Sequence, residues 1–478
     1  MIIDLLKNLL IYGQPGTGKE NVITTIVYDL SLRKSPEEVT FYIGDFGAET
    51  LKTLRKIPQV GDVFVTEEQD KLLNLIKMLD KELERRKKEY SDYGGNYEEY
   101  CKLAGKKDNV IITALNNFES FTESYSRQQD AFNTLFRDGA KYGIVFIVTT
   151  TVSNVIRSRV AQSFENKICL KMPNDYDYRD LLGAPKGMIP VDNYGRGIVA
   201  CEDKPALEFQ TALICEKDQK TQFIRSIAEE LKKTYSVKAK KIPVLPEVAY
   251  VDDVMHELKG LDCVPIGIEK NSLEVYVFNF MENKVNLIAA KSIRSHVYFI
   301  YALIKEMLTL EDVNVNIIDA LSIYRGNYEN IKLYNDDLDK AFEDAYTNVQ
   351  NDATSKKKNV YFCLGISEFK NKISDKYKPY FEALFKETSK CKNNTFLFFD
   401  DANNYKKLQL ENWYKDNVNN TFGIWLGEDV GTQIALGVMS LSLEDKQTLF
   451  PCIGYPIYQG QHMTIKYVVD GVDREDEE

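Results

Sequence analysis

The chain has 478 residues, 44% of them hydrophobic and 28% charged, enough for two or three domains with cores of their own. Its net charge of -11 argues against a broad nucleic-acid-binding face, which needs clustered Lys and Arg to neutralise phosphates. Eight cysteines with no C-x-x-C pair and three histidines speak against zinc and disulfide frameworks and fit a reducing compartment.

The first pattern along the chain is "NLLIYGQPGTGKE", an apolar strand running through a glycine-rich stretch into a helix. Gly13, Gln14, Pro15, Gly16, Thr17, Gly18, Lys19 and Glu20 fit G-x-x-x-x-G-K-[ST] at every fixed position but the last. The glycines let backbone N–H groups turn inward around phosphate oxygens, and Lys19 balances the terminal charges. ATP with Mg²⁺ is therefore the candidate ligand of this loop. Glu20, however, replaces the hydroxyl that should hold Mg²⁺. Two like charges about 4 Å apart repel by roughly 4 kcal/mol at an effective dielectric near 20, against about 0.3–1 kcal/mol returned by a helix N-terminus. Glu20 is expected to cap its own helix over an empty loop or, alternatively, to bind Mg²⁺ directly as an unusual ligand.

Next come the strand "VTFYIGDFG", ending on Asp45, and the helix "EEQDKLLNLIKMLDKELERRKKEY". Leu72, Leu75, Ile76, Leu79 and Leu83 fall on one face of that helix. Arg85 and Arg86 are expected as solvated residues at its basic end. In the strand "NVIITALNNFESF" a motor ATPase needs an Asp to hold Mg²⁺ and a Glu to polarise the attacking water. Asn116 and Asn117 stand there instead. An amide is a poor base, so assistance worth about 10²–10⁴ in rate is expected to be missing. Glu119, two residues on, is the candidate substitute. Beyond "GIVFIVTTT", Arg157 and Arg159 are candidate arginine fingers toward a neighbouring subunit's phosphate. Arg196 in "YGRG" has a glycine on each side, which brings its backbone close to another element.

Lysines and two prolines in "KKTYSVKAKKIPVLPEVAYVDD" interrupt regular structure and mark residues 232–260 as a linker. Beyond it the pattern of the first half returns in diverged form. "VNLIAAKSIRSHVYFIYALIKEML" leads to "VNVNIIDALSIY", ending its strand on Asp319, and "KKNVYFCLGISEFK" and "NTFLFFDDA" follow. Strand and helix alternate in both halves, so each is a βαβ module with a mostly parallel sheet flanked by helices. The expected divisions are 1–231, truncated at its start, then the linker, 261–470, and an acidic tail over 471–478. In the second module Ser295 falls at the position of Lys19, Ile293 stands where a permissive residue is wanted, and Leu364 and Gly365 replace carboxylates. No nucleotide or metal is expected there. Trp413, Tyr414, Phe422 and Trp425 are a candidate aromatic pocket for a substrate helix or tail. No apolar run approaches the roughly 18–20 residues that span a bilayer, and no signal peptide opens the chain.

The order of "IYGQPGTGKE", "FYIGDFG", "VGDVF", "DYRDLLG", "YGRGIVACEDKPALEFQTAL", "NIIDALSIY", "WYKDNVNNTFGIWLGEDVGTQ" and "GYPIYQGQHMTIKYV" resembles the FtsK/SpoIIIE-type ATPases of type VII secretion along nearly the whole chain. The resemblance implies two tandem RecA-like α/β modules, the second and third ATPase domains of a hexameric motor anchored at the cytoplasmic face of the cell membrane. It also implies helical-hairpin export substrates with Trp-x-Gly turns, larger effectors, and neighbouring ATPase domains and subunits as partners, with no nucleic acid expected. The departures at Glu20, Asn116, Asn117 and throughout the second loop imply weak hydrolysis or none. DNA translocation, known in the wider superfamily, is disfavoured by the acidic balance.

Overall fold

The computed structural model describes residues 4, 6–152, 155–201, 204–254, 262–441 and 451–470, in two units, Met1–Val244 and Leu245–Glu478. The acidic tail over 471–478 lies outside the described residues.

The strands of the first unit are β1 (Leu9–Tyr12), β2 (Val39–Asp45), β3 (Val60–Val65), β4 (Val110–Asn116), β5 (Ile144–Thr150), β6 (Asn166–Cys169), β7 (Arg196–Cys201) and β8 (Lys204–Gln210). They form one sheet in the order β3-β2-β4-β5-β1-β6-β7-β8. β3 through β6 pair in parallel, and β7 and β8 run antiparallel at one end. Successive residues of the central strands face opposite sides, and both sides are covered. Leu10, Tyr12, Ile111 and Leu115 enter one core, and Leu9, Ile11, Ile112 and Ala114 the other. That double burial is why these strands read as unbroken apolar runs. The helix Gln69–Tyr90 buries Leu72, Leu75, Ile76, Leu79 and Leu83 against the first core, as their spacing predicts.

Arg86 departs from the expectation of a solvated residue: it is 0% exposed. Its guanidinium donates to Glu82 at 2.6 Å, to the carbonyls of Tyr142 and Asn109 at 2.8 and 2.9 Å, and to Asn109 Oδ1 at 3.0 Å. The planar fork of Arg tolerates burial when its donors are matched in this way. Arg85, one position earlier, stays partly exposed among Glu82, Glu89 and Asp108.

The second unit contains β9 (Ala249–Tyr250), β10 (Cys263–Glu269), β11 (Val275–Asn279), β12 (Val285–Ala290), β13 (Val313–Asp319), β14 (Ile331–Tyr334), β15 (Lys358–Leu364), β16 (Asn394–Asp401), β17 (Gly423–Leu426), β18 (Ile453–Tyr458), β19 (Gln461–His462) and β20 (Ile465–Val469). Its main order is β11-β10-β20-β18-β17-β12-β16-β15-β13-β14, with β19 on β18 and β9 on β20. The run β13-β15-β16-β12-β17-β18 repeats β2-β4-β5-β1-β6-β7, including the switch from parallel to antiparallel at its last pair. The registers agree as well: Asp45 lies opposite Asn116, and Asp319 opposite Leu364. The internal repeat is thus a repeat of topology.

The stretch 232–260, expected as a linker, is taken up by both units wherever it is described. Residues 220–234 complete a helix on the first unit. Ala239 N–H then donates to Pro58 O, Tyr42 and Asn74 donate to the carbonyls of Lys240 and Pro243, and Ile242 enters the core. On the second unit, Ala249, Val251 and Val254 pack with Ala302 and Val468. Lysines and prolines stop regular structure here without freeing the chain, because the carbonyls still find donors and the apolar residues still find cores.

Candidate functional site: a phosphate cradle in the first unit

In parallel sheets of this kind, ligands bind at the carboxyl ends of the strands. The loop from Gly13 to Gly18 leaves β1 at that end. Gly13 N–H donates to Thr150 O at 3.1 Å and Gln14 N–H to Lys171 O at 2.8 Å, which ties the loop to both neighbours of β1. The helix Lys19–Arg33 follows. Its N-cap is Gly18 at φ 106°, and no side chain caps it. Asn21 and Val22 N–H donate to Gly18 O, and the N–H groups ahead of them form the positive end of the helix, which faces the cradle.

Lys19 is 5% exposed and folds back over the loop. Its Nζ donates to Gly13 O at 2.6 Å, Gln14 O at 3.1 Å and Thr151 Oγ1 at 3.3 Å. Burial pushes its ammonium below the ordinary lysine value, while Glu20 and Glu119 oppose that shift. Glu20 is half-buried and its carboxylate forms none of the described hydrogen bonds or ion pairs, so the expected self-cap is not formed. Its charge is felt by Lys19, Tyr194 and Lys220. Lys220 opens the helix Lys220–Thr234 and is pushed down by burial, with Glu20, Cys215 and Asp45 acting against it. Two ammonium groups therefore share the field of Glu20 and offset part of its repulsion toward a phosphate. A lone Lys some 200 positions downstream carries no sequence signal for this role.

The YGRG segment meets the loop directly. Gly195 N–H donates to Thr17 O at 2.9 Å, and a Cβ on Gly18 would lie 3.1 Å from Gly195 N and 3.4 Å from the Tyr194 ring. The glycines around Arg196 signalled a close approach, and this is the element approached. Arg196 itself pairs with Glu208 at 2.8 Å.

β5 lies between β1 and β4, so the residues at its end stand between the cradle and the end of β4. Asn116 donates to Asp45 Oδ1 at 2.9 Å and accepts from Thr149 Oγ1 at 2.7 Å. Asn117, at φ 61°, donates to Phe46 O and Ser120 Oγ. Glu119 accepts from Thr151 N–H at 3.0 Å. The loop, Lys19 and Glu119 therefore converge at one strand end, and these residues fit a triphosphate with a divalent cation. Mg²⁺ bound there would neutralise charge on the β and γ oxygens.

Arg157 and Arg159 are exposed and line a groove of about 890 Å³ with Lys7, Arg137, Lys141 and Glu165. These neighbours precede β1, β5 and β6, so the groove opens at the edge opposite the cradle of the same chain.

In the second unit the corresponding loop is closed from within. Ile293 N–H donates to Asp401 Oδ1 at 2.7 Å, so a carboxylate from β16 holds a backbone donor of the loop. Tyr12 lies opposite Thr150, and Ala289 opposite Asp400. Counting seven residues onward from Tyr12 and from Ala289 brings Lys19 into correspondence with His296, one residue past Ser295. The His296 ring contacts Tyr467 OH at 2.8 Å, and burial pushes it toward the neutral form.

The expected aromatic pocket is a packed core. Trp413, Tyr414 and Trp425 are 5%, 2% and 1% exposed. Trp413 meets Phe381 edge-to-face and Phe385 at a tilt, and Trp425 donates to Glu428 O at 2.8 Å. Phe422 is half-buried against Tyr458. An open groove of about 740 Å³ lies instead beside the closed loop, lined by Arg294, Tyr298, Tyr301, Arg325 and Tyr328.

This architecture is a tandem P-loop fold, with a glycine-lysine loop after β1 in one copy and a carboxylate from β16 holding a backbone donor of the corresponding loop in the other. Residues 2–184 match the FtsK/SpoIIIE family. The chain is similar to the ESX secretion system protein EccC of Geobacillus thermodenitrificans (strain NG80-2), at 25% identity over 335 residues, covering 68% of this chain and 22% of that one. It spans about a fifth of the length of that relative. Its fold is that of EssC ATPases 2 and 3 from Geobacillus thermodenitrificans, at TM-score 0.81 and 20% identity, over 97% of this chain and 92% of that one. A further likeness, at TM-score 0.52 and 17% identity over 97% and 88%, is to Thermomonospora curvata EccC (ATPases 2 and 3) in complex with a signal sequence peptide.

Proposed function

We propose that this chain is a cytoplasmic ATPase-like segment of a type VII secretion motor that binds a nucleoside triphosphate in its first module only. The carrying observation is internal. One sheet order is built twice, with Lys19 folded over the glycine loop in one copy and Asp401 holding a backbone donor of the corresponding loop in the other. The second module serves recognition and coupling, and the chain works with neighbouring ATPase domains and subunits of a hexamer at the cytoplasmic face of the membrane. Hydrolysis is weak or absent, because Asn116 and Asn117 replace the carboxylates at the end of β4. The relative solved with a signal sequence peptide supports export-signal segments as partners, and we extend these to helical-hairpin substrates and effectors. The groove beside Arg294 and Tyr298 is the surface to test for them.

Calorimetric titration of Mg·ATP, and separately of a cognate substrate's C-terminal segment, tests both halves. One nucleotide per chain, lost in Lys19→Ala, and saturable segment binding weakened by Arg294→Ala and Arg325→Ala are expected. Two nucleotides per chain, or none, overturns the nucleotide half. Segment binding that is absent, or unchanged in both variants, overturns the recognition half.

A further inference from the structure

The two asparagines at the end of β4 are committed to the framework. Asn116 uses both ends of its amide, on Asp45 and Thr149, and Asn117 spends its N–H groups on Phe46 O and Ser120 Oγ. The left-handed turn at Asn117 starts the helix Phe118–Ser124 directly off the strand and brings Glu119 back over the end of β5. There Thr151 N–H fixes Glu119 Oε1 at 3.0 Å. The other oxygen, Oε2, is buried and has no hydrogen-bond partner among the described residues. Carboxylate oxygens are costly to bury unpaired, so one held in this way points to a partner that a ligand supplies. Lys19 reaches the same Thr151 through its Oγ1 at 3.3 Å, so ammonium and carboxylate approach one residue from two sides.

The second unit is a built-in comparison. Gly365, at φ 86°, occupies the turn of Asn117, which puts Ser367 at the place of Glu119. Two nearby carboxylates are spent on backbone donors. Asp400 accepts from the N–H groups of Ser367 and Asp401, and Asp401 from that of Ile293. Among the described residues, this position carries a hydroxyl in the second unit and, in the first, a carboxylate with one oxygen unpartnered.

We propose that Glu119, and not Glu20, is the carboxylate that meets the divalent cation of a nucleoside triphosphate bound in the first unit. This assignment rests on the nucleotide reading above. Mg²⁺ keeps several waters and takes only one or two carboxylates alongside phosphate oxygens. A single oriented carboxylate therefore suffices, although no cluster of three or more His, Cys, Asp or Glu suited to a metal occurs among the described residues. Asn116 and Asn117 act as positioning residues that hold the turn.

The test compares ATP affinity in Mg²⁺ and in EDTA for the wild-type chain, Glu119→Gln and Glu20→Gln, with circular dichroism confirming that each variant is folded. Mg²⁺ is expected to strengthen ATP binding to wild type. That gain should fall about 10- to 100-fold in Glu119→Gln and persist in Glu20→Gln, while affinity in EDTA is unchanged or improved by loss of the negative charge. Bound Mn²⁺ read by paramagnetic resonance should weaken in parallel. A Mg²⁺ gain that survives Glu119→Gln, or disappears in Glu20→Gln, overturns the assignment and leaves nucleotide binding standing. Absence of ATP binding by the folded wild-type chain overturns both.

Discussion

Asp401 accepts a hydrogen bond from the Ile293 N–H at 2.7 Å, so the second unit carries its own anion at the loop that corresponds to the candidate phosphate cradle of the first. Removing that carboxylate in Asp401→Ala leaves a backbone donor unpaired, at a cost of about 1–3 kcal/mol. Chemical denaturation of the second unit should show this loss. Nucleotide stoichiometry should stay unchanged, because burial pushes His296 toward the neutral form and no lysine replaces Lys19. A second nucleotide bound by Asp401→Ala would contradict this.

Gly18 sits at φ 106°, with Gly195 and Tyr194 against its missing side chain. Gly18→Ala should destabilise the first unit by about 1–3 kcal/mol through backbone strain and weaken ATP binding, because the loop and the YGRG segment must part. Thermal melting and nucleotide titration read the two effects. Full ATP affinity in this variant would show that the close packing plays no part in shaping the cradle.

Glu306 is 4% exposed on the helix Val297–Leu308. Burial, with help from Asp252 and against Lys305, raises its pKa from 4.5 to about 7. Below the lower value the carboxyl is protonated in both folded and unfolded chains, and the second unit keeps its full stability. As pH rises through this interval the unfolded chain ionises first, so stability falls, by about 1–3 kcal/mol in total. Glu306→Gln should remove that slope and leave the unit more stable than wild type at about pH 8, as denaturation midpoints across pH will show.

Both tryptophans of the chain are buried in the second unit. Their emission should be blue-shifted and resist quenching by iodide, and Trp425→Ala should cost about 3–5 kcal/mol of stability. Ready quenching of both would restore the exposed aromatic pocket that the sequence suggested.

Burial separates the correct aromatic and charge readings from the mistaken ones. "TFGIWLG" alternates like a strand, and β17 forms there. The pattern could not say that both faces would be covered, one of them by Val430 and Leu436 from farther along the chain. Arg86 looked like its neighbour Arg85 because helix periodicity ranks residues by face and is blind to carbonyls arriving from Asn109 and Tyr142.

What the sequence determined by itself is local or periodic: the apolar strands, the helix with its leucine face, the glycine-lysine loop, and a second half in which that loop has lost its lysine. Such features follow from backbone preferences and side-chain alternation over a few residues, and they were enough to define two modules of one topology. Tertiary structure alone decided which oxygen remains without a partner at Glu119, which carboxylate holds the second loop, and that Lys220 and Tyr194 share the field of Glu20. Each of those outcomes depends on residues from separate strands and loops meeting at one end of a sheet, where burial and hydrogen-bond supply, set by the whole fold, decide what a side chain can do.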